Sequence, residues 1–229
     1  MKKLFIFFFL IFAVNAQAAL QNDNFDDNSI DTSFWTAGTV QLGTVAEQNQ
    51  QLEVDWTTLQ VDFAYLVTAG AHDLSTADIQ VDVKANTGNA SMWIALTKVT
   101  ATNPHAEASW YRIMRYHATV GPTNTLYVQK KVNGGSVTTL ENSASTATGT
   151  MRITISGGVI TFYAAGVEVH SEAYALSTTT AYVYILGGQD EGDNLGDADF
   201  DDFLASSASG STLKVLGSTS GKINGGLMH

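Results

Sequence analysis

The chain has no cysteine and only two prolines, Pro104 and Pro122. Without cysteine it has no disulfide and no thiolate for zinc or nucleophilic chemistry, so a packed core must carry its stability. Charge is sparse at 14%, and bases are scarcer than acids: 11 Lys and Arg face 22 Asp and Glu, for a net charge of -11. Such a chain is repelled by nucleic acid and by anionic lipid, and no nucleic-acid partner is expected. No helical period and no fixed-length repeat runs through it. Beyond Ala18 no apolar run is long enough to span a bilayer.

Familiar chemical motifs are missing too. His105-Ala106-Glu107 is not followed by a second histidine at helical spacing, so it is no zinc site. The other histidines, His72, His117, His170 and His229, are scattered. Gly217-Ser218-Thr219-Ser220-Gly221-Lys222 is too short between its glycines for a phosphate loop, and Ile223 stands where a hydroxyl residue is needed.

The chain opens with Lys2-Lys3, an apolar run from Leu4 to Val14, and Asn15-Ala16-Gln17-Ala18. A charged start, a short apolar stretch and a small-x-small end form the pattern of a secretory signal peptide. The expected organisation is a leader over residues 1–18, one domain over 19–206, and a linker and tail over 207–229. The tail's two β-prone pieces, Leu213 to Gly217 and Lys222 to Gly226, suggest an extra strand for its own sheet or a neighbour's edge. That leaves self-assembly open.

Between leader and tail the pattern is β. Leu52, Val54 and Trp56 alternate, and Ile79, Val81 and Val83 alternate against Asp78, Gln80, Asp82 and Lys84. Further strands are expected over Phe63 to Val67, Ser91 to Val99, Trp110 to Ala118, Leu126 to Val132, Met151 to Ser156, Val159 to Ala164 and Tyr182 to Leu186. Asn133-Gly134, Gly157-Gly158 and Ala165-Gly166 mark hairpin turns. The fold class expected is an all-β sandwich.

Two stretches carry candidate chemistry. From Gly187 to Phe203 the chain holds seven carboxylates; Asp197, Asp199 and Asp201 alternate and would share one strand face. Repulsion among them favours a cation, and hard oxygen ligands on an exported chain suggest calcium. Phe200 and Phe203, three apart, break strict alternation and suggest a bulge. On Trp110 to His117, one face carries Trp110, Arg112, Met114 and Tyr116, with Trp93, Tyr127 and Lys131 expected on neighbouring strands. Aromatic rings stack on sugar C–H faces while polar neighbours fix orientation, so this set suggests a carbohydrate site. The competing reading places the same rings in the core.

The order of these pieces resembles the concanavalin A-like jelly roll of lectins and glucanases, near laminin-G-like modules and family 16 glycoside hydrolases. Asn24-Phe25-Asp26-Asp27-Asn28-Ser29-Ile30-Asp31-Thr32-Ser33-Phe34-Trp35 is similar to that group's opening motif. Thr161 to Val167 resembles a later hairpin, and Ala198-Asp199-Phe200-Asp201-Asp202-Phe203 resembles the last strand. The resemblance implies two antiparallel sheets, an extracellular or cell-wall polysaccharide as partner, and a structural calcium where the chain ends meet. The matching ligands would be Asp26 or Asp27 at the start and Asp201 at the end, with Asp199 beside it. Family 16 catalysis needs two glutamates flanking an aspartate on one strand. Glu53-Val54-Asp55-Trp56 begins that way, but Thr57 and Thr58 stand where the second acid belongs, and the stretch lies too early in the chain. The expectation is a secreted, non-enzymatic carbohydrate-binding or adhesion module stabilised by calcium. The alternative is an extracellular structural protein that assembles through edge strands or the tail.

Overall fold

A computed structural model describes residues 19–56, 62–87, 90–100, 104–117, 124–146, 148–176, 179–189 and 196–207. The leader, residues 190–195 of the acidic run and the tail lie outside the described residues.

Fifteen strands follow one another: β1 (Trp35–Val40), β2 (Thr44–Gln48), β3 (Gln51–Trp56), β4 (Asp62–Thr68), β5 (His72–Asp73), β6 (Ala77–Thr87), β7 (Ala90–Thr97), β8 (Trp110–His117), β9 (Asn124–Lys131), β10 (Thr138–Ala144), β11 (Gly149–Ser156), β12 (Val159–Ala164), β13 (Val167–Ala173), β14 (Thr180–Gln189) and β15 (Gly196–Ser207). They form two sheets. One has eight strands in the order β1-β4-β14-β7-β8-β9-β10, with β5 paired to β14; the other has seven, in the order β13-β12-β11-β6-β15-β3-β2. Neighbours run antiparallel, as in β7 with β8 and β6 with β15.

Local chemistry accounts for the turns. Ser156 pairs with Val159 and Ala164 with Val167, so each connection has only two residues. Gly157 and Gly158 both have positive φ, 57° and 78°, which glycine adopts without a Cβ clash and which suits the twist of a two-residue hairpin. At Asp31 the side-chain Oδ1 accepts from the Ser33 amide at 2.9 Å, and the carbonyl accepts from Trp35 at 2.7 Å. This is an aspartate-initiated turn feeding β1.

The core lies between the sheets. Leu52, Val54 and Trp56 from β3 and Ile79, Val81 and Val83 from β6 meet Met92, Ile94 and Leu96 from β7 and Ile113 from β8. Alternation therefore sends the odd-numbered residues of β7 and the even-numbered residues of β8 to the far side of the eight-stranded sheet.

The two ends of the domain meet. Asp23 and Phe203 exchange backbone hydrogen bonds, both 2.8 Å, and the Ala205 amide donates to Asn22 Oδ1 at 2.7 Å. Pairing of β15 with β6 shifts register between Asp201 and Leu204, and Asp202 has a φ of 48°. This is the bulge expected from the Phe200–Phe203 spacing, and it buries both rings completely.

Candidate functional site

The outer face of the eight-stranded sheet is the candidate site. Strand register puts Trp93 opposite Met114, Met114 opposite Tyr127, and Trp110 opposite Lys131. All six residues expected from the sequence, Trp93, Trp110, Arg112, Tyr116, Tyr127 and Lys131, thus lie together on one side.

Their exposure divides them. Trp93 and Trp110 are 1% exposed and Arg112 is 3% exposed, whereas Tyr116, Tyr127 and Lys131 are half-buried. Arg112 is the centre of the buried group. Its guanidinium lies 3.8 Å from the Trp93 ring centroid and 4.8 Å from that of Trp110. Its Nε and Nη2 donate to Gln129 Oε1 at 2.8 and 2.5 Å, and its Nη1 meets His105 Nδ1 at 3.0 Å. Trp110 Nε1 donates to the His105 carbonyl at 3.3 Å, so the turn Pro104–Ala106 is tied to this stack. A desolvated cation over two indole faces is a strong arrangement, and it makes Trp93 and Trp110 structural. The expectation that Trp110 lies open to a ligand is corrected accordingly. Tyr116, Tyr127 and Lys131 are the members left for contact.

Sequence reasoning missed the other half of the face. Phe63 and Tyr65 from β4 and Tyr184 and Leu186 from β14 join Trp93 and Met114 in one apolar cluster, with Val40 and Tyr182 packed against it. The signal was present as alternation within Phe63 to Val67 and Tyr182 to Leu186, but both faces of these strands are apolar. Beside Tyr65 and Tyr184, with Thr36 and Thr68, lies an open cavity of about 390 Å³. Burial pushes the Tyr65 phenol's pKa upward, so it stays a neutral hydroxyl.

No described side chain on this face of β1, β4, β14, β7, β8 or β9 is a carboxylate. Glu53 and Asp55 lie on β3 of the other sheet and point away from the core, because Leu52, Val54 and Trp56 point into it. Glu53 accepts from Asn49 Nδ2 at 2.8 Å and from Gln48 Nε2, and Asp55 accepts from Thr44 Oγ1 at 3.5 Å.

The expected calcium ligands separate into two places. Asp201 faces Lys84, whose Nζ is 3.3 Å from it and 3.5 Å from Asp82. Asp199 is on the same strand, across from Glu53. Asp26 accepts from Asn24, and the Asp27 amide donates to Glu47 Oε1 at 3.1 Å. Among the described residues no group of three or more acidic or histidine side chains is set to hold a metal. The carboxylate with open capacity is one the sequence reading passed over. Glu47 is 7% exposed and its Oε2 has no partner. Burial, with the charges of Asp23 and Asp27 nearby, pushes its carboxyl above the ordinary range. This orphaned oxygen lies near the charges of Asp23 and Asp27, apart from the Asp201–Lys84 pair.

No family model matches the chain, and no curated protein matches it. Solved structures do. The fold is that of the concanavalin A-like jelly-roll glucanases. SCLam, a non-specific endo-β-1,3(4)-glucanase from family GH16, superposes with a TM-score of 0.61 at 10% identity over 84% of this chain and 91% of its own. The Bacillus licheniformis β-glucanase gives 0.55 at 12% identity, over 82% and 97%. A sialidase gives 0.56 at 15% identity over 85% of this chain, which spans only 19% of the sialidase.

Proposed function

We propose that this chain is a secreted, non-catalytic carbohydrate-binding module that holds a polysaccharide on the outer face of its eight-stranded sheet. One observation carries the reading. That face gathers aromatic, amide and cationic side chains, and no described residue of β1, β4, β14, β7, β8 or β9 on it is a carboxylate; Asp73 of β5, opposite Thr180, stands at its margin. Glycoside hydrolysis of the usual kind needs two carboxyl groups about 5–10 Å apart across the scissile bond. Recognition needs only rings and hydrogen-bonding groups, and Tyr116, Tyr127, Gln129 and Lys131 supply them.

The test is affinity electrophoresis in gels carrying different polysaccharides. Tyr116→Ala and Tyr127→Ala are each expected to weaken retention about tenfold or more, as loss of a stacking ring does, and to leave the melting curve nearly unchanged. Retention that survives both changes sinks the site.

Calcium belongs to the same proposal, with Glu47 and Asp27 as its side-chain ligands. Glu47 holds its proton more tightly when folded than when unfolded. Its contribution is therefore intact in acid and is lost as pH rises from the ordinary carboxylate range through its raised value. In chelator, Glu47→Gln is expected to raise the Tm at neutral pH and to leave it unchanged in acid. Calcium is expected to raise the wild-type Tm at neutral pH and to do nothing for Glu47→Gln. Differential scanning calorimetry reads both. Equal calcium responses in the two proteins would remove Glu47 from the site.

A further inference from the structure

A second cavity, of about 410 Å³, opens at the rim of the sandwich and is walled in part by Arg115, Leu126, Ser143, Ser145, Thr146 and Ala165. It is on neither outer sheet face. Arg115 follows Met114 on β8 and so points the other way, between the sheets, where it is 1% exposed.

The environment of this arginine is unusual for a buried cation. Its Nη1 donates to Ser145 Oγ at 2.7 Å, the Thr146 carbonyl at 2.8 Å and Thr146 Oγ1 at 3.0 Å; its Nη2 donates to the Thr150 carbonyl at 3.2 Å. Every acceptor is neutral, and Nε has no partner. Among the described residues no carboxylate lies within ion-pair distance of it. The acid that acts on it from further off, Asp82, is occupied by Thr150 Oγ1 at 2.5 Å and by Lys84. Burial accordingly draws the guanidinium pKa downward. The backbone is shaped around it: Gly149 has a φ of 115°, and a Cβ there would sit 3.3 Å from Arg115 Nη2. A buried charge is normally paired, because desolvation penalises it otherwise. By contrast, Arg152 on the surface has a bidentate partner in Asp78, at 2.7 and 2.6 Å.

We propose that this rim cavity binds an oxyanion, and that its ligand is the carboxylate of a uronic acid unit, with Arg115 as counter-ion. Guanidinium binds carboxylate through charge-assisted hydrogen bonds, and Nε–H of Arg115 is the donor that no described protein group takes. The hydroxyls of Ser143 and Ser145, which also line the cavity, suit the sugar's own hydroxyls. The volume is that of a small-ligand site. The choice of a sugar acid rests on the carbohydrate reading above, whereas the anion site does not. The two sites are separate, since Arg115 points between the sheets while Tyr116, Tyr127 and Lys131 lie on the outer face.

The test uses the full chain and monomeric galacturonate, because a net charge of -11 opposes long polyuronates at low salt. Titration calorimetry with galacturonate, galactose and acetate is run on wild type, Tyr116→Ala, Arg115→Gln and Ala165→Asp. The expected result is saturable binding of galacturonate, none of galactose, and acetate weaker by about tenfold or more. Tyr116→Ala should bind galacturonate as wild type does, even where its polysaccharide retention is lost. Arg115→Gln should lose the response. Because that variant removes four hydrogen bonds to Ser145, Thr146 and Thr150, Ala165→Asp provides the second arm. The Ala165 amide shares the Thr150 carbonyl with Arg115, at 2.9 Å, and its φ of 49° is one that aspartate tolerates. A carboxylate there should raise the Tm without ligand and abolish galacturonate binding. Acetate binding as tight as galacturonate would overturn the sugar assignment. Galacturonate that fails to bind wild type, or that binds Ala165→Asp unchanged, would overturn the site.

Discussion

Phe203→Ala is expected to destabilise the domain by about 3–5 kcal/mol, a fall in Tm of roughly 6–20 °C for a chain of this size. Phe203 is fully buried where the first and last described segments join. Its ring meets Trp35 edge-on at 4.9 Å and lies 6.3 Å from Phe34. Trp35 Nε1 donates to Asp23 Oδ2 at 2.8 Å, and Asp23 pairs through its backbone with Phe203. One ring therefore underlies the turn that starts β1, the segment before it, and the bulge in β15. Removing it leaves a cavity and loosens the closure of a chain that has no disulfide. Leu204, its neighbour, is 45% exposed, and Leu204→Ala should stay within about 0.5 kcal/mol of wild type. Thermal unfolding followed by circular dichroism separates the two. Similar losses in both variants would deny the junction its special role.

Trp93→Ala carries the second large effect, also about 3–5 kcal/mol. The indole is 1% exposed and lies between the Phe63 ring, at 5.2 Å, and the Arg112 guanidinium, at 3.8 Å. Its removal takes apolar burial and a desolvated cation–π contact together. Arg112 would then lose one of its two ring faces, and the face beside Tyr127 would lose its support. Both Tm and polysaccharide retention should fall in this variant, whereas Tyr127→Ala should lose retention alone. A Trp93→Ala protein with wild-type Tm would place this ring in the open, as the sequence first suggested.

Why the sequence led there is a matter of two-sided strands. Met92-Trp93-Ile94-Ala95-Leu96 is apolar at every position, because one face fills the core and the other carries the outer cluster. Periodicity groups Trp110, Arg112, Met114 and Tyr116 correctly but gives no sign of which group is sealed. The seal comes from His105, in a turn that packs on both indoles at 6.0 Å. Where one face is polar, as in Asp78 to Lys84, the strand and its inward side were both legible. The edge strands β1 and β10 were not, because Thr36-Ala37-Gly38-Thr39 and Thr138-Thr139-Leu140-Glu141-Asn142 lack apolar alternation and gain their structure from one neighbour each. The bulge was legible from the spacing of Phe200 and Phe203, and the meeting of the two ends from the resemblance. The partner of Asp201 was not, since Lys84 reaches it only across the β6–β15 pairing. Glu47 reads as a surface residue among polar neighbours, and only the segment folded over it makes it a buried carboxylate.

The central claim is binding without cleavage, and one measurement bears on it most directly. Wild-type protein is incubated at high concentration with each polysaccharide it retains, and the polymer's size distribution is followed by light scattering over days. The expected result is a retained polysaccharide of unchanged length. A shortened polymer, with the shortening abolished by changing a single carboxylate, would contradict it.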